Sequence, residues 1–228
     1  MGRIILGLLA SFQVVSSLPA TLLACLLWAA IAEGADVRAG RADCSSLDAA
    51  EFFFPMRVLG ERLPHFDQDA FRREWYSKHL RAMAEPSLSC GESASENYRF
   101  LWLRTFGRPI AVRIETGRSN TLTAVELDGA GGYEPGKISR RVQRQLSADE
   151  WKTLSDALKA TDFWNMPGRE PDQGLDGAEW IMEGRSGHDY HVVDRWSPAA
   201  GAYRELCLML VKFSGLIPSG KTKRDAVY

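Results

Sequence analysis

Residues 97–115, NYRFLWLRTFGRPIAVRIE, decide the fold. Apolar residues recur at every second position: Tyr98, Phe100, Trp102 and Phe106 on one side, then, after the turn Gly107-Arg108-Pro109, Ile110, Val112 and Ile114. A period of two puts alternate side chains on opposite faces of an extended chain, so the stretch reads as two strands joined by a tight turn. TLTAVELDG (121–129) and GKISRRVQRQL (136–146) continue the alternation, the second with Ile138, Val142 and Leu146 inward and Lys137, Arg141 and Gln143 outward. Four strands with short connections imply an antiparallel meander.

Helical periods flank this block. DQDAFRREWYSKHLRAMA (67–84) opens on the capping residue Asp67 and sets Phe71, Trp75, Tyr76, His79, Leu80 and Met83 on one broad face, where His79 reads as packed. SSLDAAEFFF (45–54) is a brief apolar helix candidate ended by Pro55. LSADEWKTLSDALKA (146–160) has a capping box, Ser147 with Glu150, and an apolar stripe of Trp151, Leu154 and Leu158. A hairpin, AEWIMEGRSGHDYHVVDRW (178–196), follows. The last helix is expected to begin at Ser197-Pro198 and to bury Tyr203, Leu206, Cys207, Leu210 and Val211. This order implies an α+β fold: a mostly antiparallel sheet, with a four-stranded meander plus a later hairpin, and helices packed on one face. The expected divisions are 1–32, a signal peptide or N-terminal membrane anchor; 33–96, a helical N-terminal region; 97–215, the α+β core; and 216–228, a polar C-terminal tail.

The first 32 residues contain one charge, Arg3, and a long apolar run that ends in Ala30-Ile31-Ala32. Small residues there suit a signal peptidase, and Gln13, Ser16, Ser17 and Pro19 break the run, so cleavage after Ala32 is the preferred reading. An uncleaved anchor through residues 4–32 and lipidation at Cys25 are the alternatives. All three place the remainder outside the cytoplasm, periplasmic or secreted. Without Arg3 the 28 basic residues become 27 against 29 acidic ones, a net charge of −2 that offers nothing to nucleic acid. The composition, 45% hydrophobic and 25% charged, is ordinary for a globular chain. In an oxidising compartment Cys44 and Cys90, both in polar sequence beside a helical region, are expected to pair, leaving Cys207 as a buried thiol.

Sharp-looking motifs dissolve on inspection. GLIPSGKT (215–222) spells a phosphate loop, but a helix enters it where a strand is needed, so no nucleotide is expected; Gly215 reads instead as a left-handed helix stop. DQGLDGAEWIME (172–183) offers Asp172, Asp176 and Glu183 in a calcium-loop frame, but Gly174 stands where a ligand belongs, and no metal or other cofactor is expected. DGAGGYEPGK (128–137) is a long hairpin loop.

The hairpin concentrates the polar residues. A turn of two or four residues groups Ile181 and Glu183 with His188, Tyr190 and Val192, and groups Trp180 and Met182 with Asp189, His191, Val193 and Arg195. Glu183 and His191 then point apart, and His188 and His191 cannot clamp one metal. Glu183, His188 and His191 are the candidate acid/base residues, with Glu183 to His188 as the possible cross-strand pair. Trp180, Arg195 and Trp196 are the candidate binding residues, through guanidinium-aromatic stacking. A half-buried hairpin with a polar rim is the structural expectation.

The wording at 98–114 (YRFLWLRTFGRPIAVRI), at 176–184 (DGAEWIMEG) and at 190–198 (YHVVDRWSP) resembles a group of exported bacterial proteins, over roughly residues 98–198. That resemblance implies neither an activity nor a site. The expected function is therefore an exported, non-catalytic domain that binds a protein or cell-envelope component. The alternative is a hydrolase of an envelope polymer with its acid/base residues in 172–195. Convergence of the hairpin's polar residues on a concave pocket separates the two.

Overall fold

The computed structural model describes residues 53–60, 62–63, 65–90, 93–170, 174 and 176–216. Strands β1 (Arg62–Leu63) and β2 (Phe66–Asp67) form a small ribbon before helix α1 (Gln68–Ala82). Then come β3 (Ser93–Arg104), β4 (Ile110–Glu115), β5 (Thr121–Leu127), β6 (Ile138–Gln145), α2 (Ala148–Thr161), β7 (Ala178–Gly187), β8 (Asp189–Trp196) and α3 (Ala202–Ser214). The six long strands make one antiparallel sheet in the order β6-β5-β4-β3-β7-β8. The meander occupies one half, and the β7–β8 hairpin adds to the free edge of β3. The fold is thus α+β with an antiparallel sheet.

Helices cover both faces of this sheet rather than one. Tyr98, Phe100, Trp102, Ile110, Val112, Trp180 and Met182 pack against α2 and α3 through Leu154, Leu158, Leu206 and Leu210. On the other face Leu101, Leu103, Ala111, Val125 and Ile181 meet α1 through Tyr76, Leu80 and Met83, together with Phe53, Phe54 and Leu59. The physical reason lies in β3 itself, where Phe100-Leu101-Trp102-Leu103 is apolar on both sides of the pleat. A central strand of that kind needs a cover on each face.

Local expectations fare unevenly. Asp67 accepts from the Ala70 amide at 3.0 Å, and Ser147 and Glu150 form both bonds of the capping box. Phe71, expected inward, is 51% exposed. Ile138, also expected inward, is 42% exposed, because a register shift between Glu126 and Leu127 makes Ser139 the extra residue of a bulge. The Ser139 hydroxyl donates to the Glu126 carbonyl at 3.1 Å, and the bulge removes Ile138 from the alternation. Helix α3 starts at Ala202 with Gly201 at its N-cap, not at Ser197-Pro198. Ser197 instead closes the end of the β7–β8 pair, where its hydroxyl accepts the Ala178 amide at 2.8 Å and its own amide donates to the Ala178 carbonyl at 2.8 Å. Gly215 does end α3 in the left-handed region, with φ +68°, and Leu216 folds back to 2% exposure.

No helix among the described residues is long and apolar enough to cross a membrane. The expected signal or anchor, Cys25, Cys44, Asp172, Lys221 and Thr222 lie outside the described residues.

Candidate functional site

The β7–β8 turn is Gly187-His188, between the paired residues Ser186 and Asp189, and Gly187 takes φ +58°. Glu183 falls opposite Val192, and Gly184 opposite His191. Glu183, Tyr190, Val192 and Asp194 therefore face α1, while Trp180, Met182, His191 and Val193 face α2 and α3, so Glu183 and His191 do point apart. His188 sits exposed at the turn, and the Glu183 to His188 pair does not form. Glu183 is engaged elsewhere, as its surroundings show.

Its carboxylate accepts from Arg99 Nε at 2.7 Å and from the Tyr190 hydroxyl at 2.9 Å. Arg99 also donates to the Pro86 carbonyl at 2.6 Å and stands 3.6 Å from Glu85, which accepts from Arg113 Nε at 2.9 Å. Further along the same face Asp194 accepts from the Tyr76 hydroxyl at 3.1 Å and pairs with Arg169. Glu183 and Asp194 are both 0% exposed. The polar rim expected of this hairpin is instead a polar layer inside the protein, sealed by α1 and the segments before and after it. Burial pushes the carboxyls of Glu183 and Asp194 up from their ordinary values, against Arg99 and Arg169 respectively, and pushes the Tyr76 and Tyr190 hydroxyls well above theirs. A general acid or base must reach a substrate proton, and neither carboxyl has exposed surface.

The expected stacking group is dispersed as well. Trp180 is completely buried, its ring 4.9 Å from that of Trp102 and 5.4 Å from that of Phe100. The guanidinium over it, at 5.0 Å, belongs to Arg204. Arg195 lies 5.9 Å from the Tyr203 ring and spends its donors on the Pro167 carbonyl at 2.7 Å and the Asp194 carbonyl at 2.8 Å. Trp196 is half-buried. His191 rests edge-on against Phe163, with ring centres 5.2 Å apart. Asp176 is exposed before β7, whereas Glu183 is buried seven residues later, about 20 Å away along an extended chain. Among the described residues no group of three or more His, Cys, Asp or Glu side chains can hold a metal ion.

Four of the exposed large hydrophobic side chains among the described residues are aromatic. Phe66 (50% exposed), Phe71 (51%) and Trp75 form a row along β2 and α1, with successive ring centres 5.6 and 5.8 Å apart. Beside it the rings of Phe106 (72% exposed) and Tyr133 (58%) meet at 6.0 Å. One junction binds the two groups: Trp75 Nε1 donates to the Gly131 carbonyl at 2.7 Å, and Lys78 pairs with Glu134 at 3.0 Å. The His79 ring lies under that junction, with Nδ1 2.9 Å from the Trp75 carbonyl and Nε2 3.4 Å from the Ala130 carbonyl, and burial lowers its pKa from the ordinary value. Gly131 is obligatory here, because a Cβ would stand 2.6 Å from the Arg104 backbone nitrogen. Alternation alone does not find this surface. It needs the knowledge that the glycine-rich 128–137 loop folds back on the β3–β4 turn, which no local period encodes.

The fold and this surface define the chain as an antiparallel α+β domain with a sealed charge layer and an exposed aromatic face. No protein-family model matches it, and a search of curated proteins finds no match.

Proposed function

We propose that this is an exported, non-catalytic domain that binds another protein through the surface formed by Phe66, Phe71, Trp75, Phe106 and Tyr133. The observation that carries the reading is the clustering of large apolar rings in water: Phe66, Phe71, Phe106 and Tyr133 are each at least half exposed around one braced junction. Phe, Tyr and Trp are the residues enriched in protein interfaces, and a rigid underside limits the entropy lost on association. Of the two partner classes, protein or other envelope component, a protein suits the composition better. Three of the five rings are Phe, and the indole N–H of Trp75 is already committed to Gly131, which leaves little to read the hydroxyls of a sugar. Export is supported by the apolar leader and the Ala30-Ile31-Ala32 ending. The hydrolase alternative finds no support in the hairpin, where Glu183 is sealed on one face, His191 lies on the other and His188 is at the turn.

The test is affinity capture from envelope extract with the wild-type chain and with Phe71→Ser/Phe106→Ser. Both positions are exposed, so the variant keeps its near-ultraviolet circular dichroism. Loss of about tenfold or more in recovery of the same retained protein is the expected result. Equal recovery by both chains overturns the assignment of this surface.

A further inference from the structure

We infer that the outward face of α3 is the interface of a symmetric dimer of this chain. Tyr203, Leu206, Cys207, Leu210 and Val211 turn α3 toward the sheet. At 3.6 residues per turn Glu205, Leu208, Met209 and Lys212 fall on the opposite side. Two of these four, Leu208 and Met209, are large apolar residues that the core covers only in part. Glu205, Leu208, Met209, Lys212 and Phe213, with Thr153 of α2, line an open groove of about 340 Å³.

The order of these residues selects the occupant. Glu205 precedes Leu208 by three positions and Lys212 follows Met209 by three, so the face reads Glu-x-x-Leu-Met-x-x-Lys. A two-fold axis through the midpoint of Leu208 and Met209 carries each charge onto the opposite one. In an isologous dimer residue i meets residue j and j meets i, so two antiparallel copies of α3 place each Glu205 against the other copy's Lys212. The apolar pair then meets its own counterpart at the axis. A parallel pairing of the helices sets like charges together, which is costly. Within the chain neither Glu205 nor Lys212 has an ion-pair partner among the described residues. This surface lies across the sheet from α1 and its aromatic row, so the inference is independent of the proposed partner site.

Sedimentation velocity of the full-length chain in mild detergent tests it by charge reversal. The wild type is expected to dimerise in the micromolar range. E205K and K212E each bring two like-charged contacts to the interface and should weaken dimerisation about tenfold or more, whereas E205K/K212E together should restore it to within about threefold. Met209→Cys, next to the axis, should cross-link two copies on oxidation. A chain that stays monomeric throughout that range, or a double reversal no better than the single ones, overturns the inference.

Discussion

Arg99 and Glu183 stand directly opposite each other on β3 and β7, and the guanidinium Nε donates to the carboxylate over 2.7 Å with neither side chain reaching solvent. The pair is the centre of the layer between sheet and α1, since Tyr190, Pro86 and Glu85 all bond or approach it. Removing one member leaves the other charged and buried, which costs about 3–5 kcal/mol, whereas replacing both with apolar residues of similar volume is often nearly neutral. Glu183→Ala is therefore expected to lose about 3–5 kcal/mol in urea unfolding, and Arg99→Met/Glu183→Leu to recover most of it. A loss below about 1 kcal/mol for Glu183→Ala contradicts a structural role for the pair.

Glu150 gives the pH dependence. Its carboxylate takes Arg144 Nη2 at 2.7 Å and the Ser147 amide at 2.9 Å, and Arg144 in turn donates to the Phe213 carbonyl at the end of α3. The Arg144 guanidinium, helped by the Ser147 amide, holds the carboxyl down at about 2, against an ordinary value of 4.5. The sign follows from the folded chain binding the proton more weakly than the unfolded one: the contribution is complete above pH 4.5 and is lost as pH falls through about 2. Glu150→Gln should accordingly be about 1 kcal/mol less stable at pH 7, with the gap to wild type narrowing below pH 4.5. A gap that stays constant from pH 7 down to the acid limit rules out the carboxylate as its source.

The antiparallel sheet and its meander were legible because alternation at Tyr98, Phe100, Trp102 and at Ile110, Val112, Ile114 is local, as are the caps at Asp67 and Ser147. Gly215 was legible for the same reason, since a helix stop depends on a few neighbours. Glu183 shows the limit. Its face was correct from strand parity, but its burial depends on Arg99, 84 residues away in sequence, and on α1 crossing that face. Leu101 and Leu103 carried the one available hint, as apolar residues at the positions a one-sided sheet would leave polar. The aromatic surface was harder still. Phe71 lies with Trp75 on a flank of α1 turned away from Tyr76 and Leu80, and the ring it meets there is Phe66 of β2 rather than the core.

The segment before β3 supplies the last prediction. Cys90 is half-buried and is proposed to form a disulfide, while Cys207 is buried and free. Two arginines fix the backbone beside Cys90: Arg185 donates to the Ser89 carbonyl at 2.9 Å and Arg99 to the Pro86 carbonyl at 2.6 Å. We propose Cys44 as the partner, the polar-loop cysteine on the far side of α1 in sequence, closing a loop of 46 residues (90 − 44). Constraining an unfolded loop of that size contributes about 4 kcal/mol, so Cys44→Ser should lower stability by about that amount. Burial raises the Cys207 thiol, which should therefore resist alkylation until the chain is unfolded. Non-reducing peptide mass spectrometry of the purified protein is expected to recover one cross-linked peptide joining residues 44 and 90. Alkylation of both Cys44 and Cys90 in the unreduced native chain overturns the pairing.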